Sequence, residues 1–79
     1  MIVHVKLYAL LRPHHPGPNR STPLNVELPE GAVARALIPA LHLPEQLVRN
    51  VFINNAAATL DSTLYDGDAV ALFPPVVGG

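Results

Sequence analysis

Seventy-nine residues make one domain, and with no cysteine there is no disulfide to brace it, so stability must come from aliphatic packing, which 49% hydrophobic residues can supply. The formal charge is −1, and the five cations, Lys6, Arg12, Arg20, Arg35 and Arg49, are scattered along the chain; without a basic stripe, nucleic acid is excluded as a partner. No apolar stretch approaches a membrane span, and Met1 to Lys6 lack the basic head and long apolar run of a secretory signal, so the expected location is the cytoplasm.

From Ile2 to Tyr8 the pattern alternates, with Val3, Val5 and Leu7 on one side and His4 and Lys6 on the other, which predicts a half-buried strand. Pro13, Pro16, Pro18 and Pro23, together with Gly17, predict a loop from Pro13 to Pro23. Leu24, Val26 and Leu28 alternate with Asn25 and Glu27 as a second strand, which Pro29-Glu30-Gly31 ends. Val33, Ala36, Leu37, Ala40 and Leu41 recur at helical spacing. Pro39 disfavours helical geometry at Ile38, so the prediction is a short helix that ends or kinks near Ile38, with Gly31 as a weak N-cap.

After Pro44, Val51-Phe52-Ile53 reads as a short buried strand, Asn54-Asn55 as a tight hairpin turn, and Ala56 to Leu60 as the partner strand. Asp66-Gly67-Asp68 signals another turn, leading into Ala69 to Phe73 as the final strand. The first and last strands are the most apolar, and a single helix can cover only one face of such a sheet. The order predicts an α+β β-grasp arrangement, with the first and last strands paired in parallel at the centre. Iron–sulfur versions of that arrangement are excluded, because no cysteine is present to hold a cluster.

The interior offers no catalytic constellation. His4 is placed on a polar strand face, His14 and His15 in the proline-rich loop, and no His-x-x-x-His pair exists, so these histidines are expected at the surface and no metal site is expected. Asp61, Asp66 and Asp68 lack the calcium-loop pattern, and Asp66 and Asp68 flank Gly67 as turn caps. Attention moves to the end of the chain, Phe73-Pro74-Pro75-Val76-Val77-Gly78-Gly79. The two prolines end the strand, and from Pro74 onward the chain reads as an extended, flexible tail of residues 74–79 on a domain of residues 1–73. The tail closes on two residues without side chains, able to thread a narrow channel. The one reactive group there is the Gly79 carboxylate, a poor electrophile until adenylated. In the last strand Phe73 lies on the face opposite Val70 and Leu72, so it is expected either outward beside the tail, as an anchor for a partner, or tucked at the core edge.

These residues resemble the molybdopterin synthase small-subunit (MoaD) and ThiS-like sulfur carriers, which have a ubiquitin-like β-grasp fold with a mixed sheet packed on one short helix. Leu7-Tyr8-Ala9-Leu10-Leu11-Arg12 is similar to the family's exit from its first strand, and Val51-Phe52-Ile53-Asn54-Asn55 to its Val-Asn-Gly hairpin. Leu64-Tyr65-Asp66-Gly67-Asp68 through Phe73-Pro74-Pro75-Val76-Val77-Gly78-Gly79 matches the Leu-x-Asp-Gly-Asp-x-Val…Pro-Pro-x-x-Gly-Gly ending. Departures are Asn55 in place of the hairpin glycine, Pro39 in the helix, and the proline-rich loop.

The resemblance implies a carrier that is not itself a complete catalyst and binds no cofactor. A partner adenylating enzyme of the ubiquitin-activating type (MoaB-, ThiF- or MoeB-like) would use ATP to join AMP to Gly79, and a sulfur donor would convert the adenylate to a thiocarboxylate. The tail, with Gly78 allowing close approach and Phe73, Pro74, Pro75, Val76 and Val77 meeting the partner, would then enter a MoaE-like molybdopterin synthase large subunit and give sulfur to a pterin precursor. Relatives serve thiamin, cysteine or secondary metabolism, or tag proteins at lysine, and those readings stay open beside the molybdopterin one. A further alternative is an interaction module whose tail never reacts.

Overall fold

The computed structural model describes residues 1–17 and 19–75. Strand β1 (Ile2–Leu7) follows the alternation in the sequence: Val3, Val5 and Leu7 are buried, while Ile2, His4 and Lys6 are exposed. Tyr8, expected as its last residue, lies just past its end. Strand β2 (Leu24–Glu27) pairs with it antiparallel, Val26 opposite Val3. Leu28 falls one residue beyond β2, where its N–H donates to the Met1 carbonyl at 2.9 Å and its side chain is buried.

The segment between these strands is more ordered than a proline-rich loop. A 3₁₀ helix covers Ala9–His14 and takes in Pro13, whose fixed φ suits that geometry, and it drives Leu11 fully into the core. His15 is not at the surface, as the sequence suggested, but buried. Its Nδ1 accepts the Gly17 N–H at 2.9 Å and its Nε2 lies 2.7 Å from the Thr22 carbonyl, a pairing that assigns the ring proton to Nε2. A Cβ at position 17 would lie 3.0 Å from the imidazole, a tight contact that glycine avoids as the turn closes on the ring.

The helix is shorter than its apolar spacing suggests. A 3₁₀ turn (Ala34–Ala36) leads into one turn of α-helix, α1 (Leu37–Ala40). It is short and stops at Ala40, close to Ile38 as expected, with Pro39 in the first α-helical turn, where the N–H it lacks is least needed. Gly31 is not the N-cap; Val33 is, with no side-chain cap, and the N–H groups of Ala34 and Arg35, which have no partner within the helix, reach the carbonyls of Ser62 (3.0 Å) and Leu60 (2.8 Å) instead.

Strands β3 (Asn50–Ile53) and β4 (Ala56–Ala58) form the expected hairpin, with Asn54 and Asn55 both at positive φ (52° and 67°), although β4 stops at Ala58 rather than Leu60. Asp66, Gly67 (φ 85°) and Asp68 turn the chain into β5 (Ala69–Phe73). The Asp68 carboxylate accepts the Tyr65 N–H and the Asn54 side-chain amide, at 2.9 and 3.0 Å, while Asp66 accepts the Ile2 N–H at 2.7 Å. Both aspartates cap backbone amides, as the sequence implied.

The strand order is β2-β1-β5-β3-β4, with β1 and β5 parallel and the other neighbours antiparallel. This is the ubiquitin-like β-grasp, a mixed five-stranded sheet packed on one short helix. One face of the sheet supplies Val3, Val5, Val26, Val51, Val70 and Leu72 to a core completed by Leu11, Leu37, Ile38, Leu43, Val48 and Leu64. Leu72, on the strand at the centre of the sheet, is fully buried. Leu72→Ala is expected to cost about 2–5 kcal/mol, read as a lower urea midpoint at unchanged m value.

Candidate functional site

The other face of the sheet carries few large side chains. Ala69 and Ala71 of β5 stand between His4 and Lys6 of β1 on one side and Phe52 of β3 on the other. Bulk returns only where β5 ends. There the parallel register, continued by the Tyr8 N–H to Leu72 carbonyl bond (3.1 Å), brings Tyr8 alongside Phe73, and their rings stack with centroids 4.5 Å apart and planes within 10°. Phe52, diagonal to Phe73 across the antiparallel β3–β5 pair, meets it edge-on at 5.6 Å and 77°. Tyr8 and Phe52 are exposed and Phe73 is half-buried between them. The expectation that Phe73 faces away from the core is met, but it faces outward as the middle of a three-ring cluster rather than as a lone anchor.

The chain leaves the sheet from this cluster. The Phe73 carbonyl accepts the Arg49 N–H at 3.1 Å, and the Asn50 side-chain amide donates to the Pro74 carbonyl at 3.3 Å, so β3 grips β5 through its last residue and one residue beyond. Phe73, Pro74 and Pro75, with Ala9, Asn50 and Phe52, line an open groove of about 450 Å³. Ala9 reaches this groove through a left-handed backbone (φ 52°), which turns the chain sharply after Tyr8. Of the proposed site residues, Phe73, Pro74 and Pro75 are thus brought together; Val76, Val77, Gly78 and Gly79 lie outside the described residues.

Sequence reasoning named Phe73 and missed Tyr8, Phe52 and Asn50. The signal for Tyr8 was present: parallel pairing of the first and last strands, combined with their alternation, puts it beside Phe73. Asn50 gave no signal, because a side-chain bond to the backbone of a distant strand leaves no periodicity behind. The remaining candidates are structural. His4 Nδ1 lies 2.7 Å from the Asn25 side-chain oxygen on the neighbouring strand, and Asp61 pairs with Arg35 at 3.2 Å. Among the described residues no three metal-binding side chains converge, and no helix is long and apolar enough to cross a membrane. With no nucleophile, base or metal set assembled among the described residues, the arrangement can offer a surface beside Pro74 and Pro75 to a partner.

Comparison with known proteins fits this geometry. The profile of the ThiS family matches residues 5–79. SAMP1, the small archaeal modifier protein of Haloferax volcanii, is 30% identical, covering 100% of both chains at a TM-score of 0.67. A putative molybdopterin converting factor subunit 1 of Pyrococcus furiosus is 31% identical over 95% of this chain and 98% of its own, at a TM-score of 0.68. A chain from the complex of subunits 1 and 2 of the molybdopterin-converting factor of Helicobacter pylori is 27% identical over 100% of both, at a TM-score of 0.59. No match was found among curated proteins.

The ring stack is expected to be energetically coupled. A double-mutant cycle of Tyr8→Ala and Phe73→Ala should return an interaction of about 0.5–1.5 kcal/mol in chemical unfolding. Additive losses would mean that the two rings act independently.

Proposed function

Because the chain belongs to the ThiS family, we propose that it is a sulfur carrier, the small subunit of a molybdopterin synthase, which carries sulfur as a thiocarboxylate on Gly79. The observation that carries this reading is the reach of the family match, which runs through the β-grasp domain and on to the terminal glycine itself. Likeness to molybdopterin converting factor subunit 1 proteins, one of them in complex with its subunit 2, supports the choice of pathway and a large-subunit partner.

The chemistry follows from what the chain has and lacks. An ionised carboxylate repels nucleophiles, so a partner adenylating enzyme first lets a Gly79 oxygen attack the α-phosphorus of ATP, releasing pyrophosphate. Sulfide released by a sulfur donor then attacks the acyl carbon, forming the C–S bond as the C–O bond to AMP breaks and AMP leaves with its electron pair, giving the thiocarboxylate. Glycine leaves that carbon unhindered, and Gly78 offers no Cβ to the walls of a partner's channel. The aromatic cluster docks the domain, and the residues after Pro75 deliver the sulfur to a pterin precursor in the large subunit. The carrier needs no cysteine, because the sulfur rides on the terminus.

Likeness to the archaeal modifier favours a second reading, in which the activated Gly79 forms an isopeptide bond to a lysine of another protein. The two readings share activation and differ in the acceptor.

Incubation with a cognate adenylating enzyme, ATP and a sulfide source, followed by intact-mass measurement, tests the carrier step. The expected result is a gain equal to replacing one oxygen by sulfur, absent when Gly79 is deleted and slower to appear in a folded Phe73→Ala variant. No gain with an active enzyme would overturn the carrier reading.

A further inference from the structure

The cations that look scattered in the sequence are not scattered in the fold. Lys6 leaves the open face of β1, Arg12 projects from the 3₁₀ helix, and Arg20 comes from the loop before β2, yet all three line one pocket of about 200 Å³, with Ser21 and Tyr8. The chain has only five lysine and arginine residues, so most of its side-chain cations meet here.

The carboxylates of the described residues are elsewhere. Arg35 takes Asp61 and Glu45, the amino terminus lies 4.0 Å from Glu30, Asp66 and Asp68 are committed to the turn before β5, and Glu27 stands opposite Ile2 at the far end of β1. Among the described residues, Lys6, Arg12 and Arg20 make no ion pair; Arg12 has one long contact, 3.4 Å to the Ser21 hydroxyl. Crowding like charges with no acid among the described residues opposes folding, so the arrangement calls for a negative group. The pocket is also built. The buried His15, bonded to Thr22 and Gly17, ties the loop carrying Arg20 and Ser21 back toward the helix carrying Arg12.

The pocket's place on the surface identifies the source of that negative group. Tyr8 lines it on one side and stacks on Phe73 on the other, so whatever covers the aromatic cluster also lies over the pocket. We infer that Lys6, Arg12 and Arg20 form a receptor for an aspartate or glutamate side chain of the protein that docks on the Tyr8–Phe73–Phe52 cluster. The inference rests on the carrier reading for the identity of that protein, but not for the chemistry of the pocket. Guanidinium forks match a carboxylate, the hydroxyls of Ser21 and Tyr8 add donors, and a charged contact beside an apolar one sets the orientation in which the partner meets the chain end.

The test is a ¹⁵N–¹H titration of the full chain with an acetylated, amidated peptide of four glutamates. Saturable shifts are expected at the amides of Lys6, Tyr8, Arg12 and Ser21, with the β3–β4 hairpin unmoved and the response weakening as salt is raised. Arg12→Gln combined with Arg20→Gln should lower the apparent affinity at least about fivefold, and Lys6→Gln by a smaller factor. Three results would each overturn the inference: no saturable shift at these amides, undiminished binding in the double variant, or an equal or stronger response to inorganic phosphate on the same amides, which would mark a small-anion site. Deleting Gly78 and Gly79 should leave the titration unchanged while abolishing sulfur loading, so the pocket and the carrier reading fail separately.

Discussion

The structure depends on the parallel pairing of its first and last strands. Antiparallel partners could be joined by a two-residue turn, but parallel ones require the chain to travel back, and here the whole of residues 8–68 makes that return. The pairing places β5 at the centre of the sheet, with β1 and β3 on its flanks, and makes β1 and β5 finish at the same end. Slipping that register by one residue would turn Val70 and Leu72 out of the core and bring Phe73 in. The register is held at the start of β5, where the Asp66 and Asp68 carboxylates and the Asn54 amide tie the turn to Ile2 and to the β3–β4 hairpin. One end of the sheet is therefore locked by short polar bonds, and the other carries exposed rings, the basic pocket and the departing chain.

That division separates the part of the domain that holds its shape from the part that a partner can meet. Its packed aliphatic core and its capped turns hold a surface in place, and nothing in the described residues assembles a nucleophile with a base. The function proposed for it needs only an end that another enzyme can activate, and a face that presents that end in one orientation. The Asn50 bond to Pro74 and the Tyr8 stack on Phe73 fix where the end begins.

The sheet was legible because alternation is a local signal: Val3, Val5 and Leu7 against His4 and Lys6 declared both the strand and its buried side, and Asn54-Asn55 declared the hairpin turn. The helix was harder, because its extent is set by tertiary partners. The carbonyls of Leu60 and Ser62 cap it from a distant turn, which left no capping residue in the sequence to mark its start. His15 was misplaced for a related reason. A histidine among prolines looks solvent-exposed until the Gly17 N–H and the Thr22 carbonyl close around it, and neither contact has a sequence period. The aromatic cluster was half legible: alternation alone turned Phe73 outward, while Tyr8 and Phe52 join it only through cross-strand register. Resemblance to the sulfur carriers supplied the role proposed for Gly79, which lies outside the described residues.

The most direct measurement follows the sulfur after it has been loaded. The thiocarboxylated chain is mixed with a molybdopterin synthase large subunit and the pterin precursor, and its intact mass is followed alongside sulfur in the pterin. Return to the carboxylate mass is expected in step with sulfur appearing in the pterin, with no covalent protein adduct. A chain that keeps its sulfur in the presence of active large subunit, or ends as an isopeptide conjugate on lysine, would contradict it.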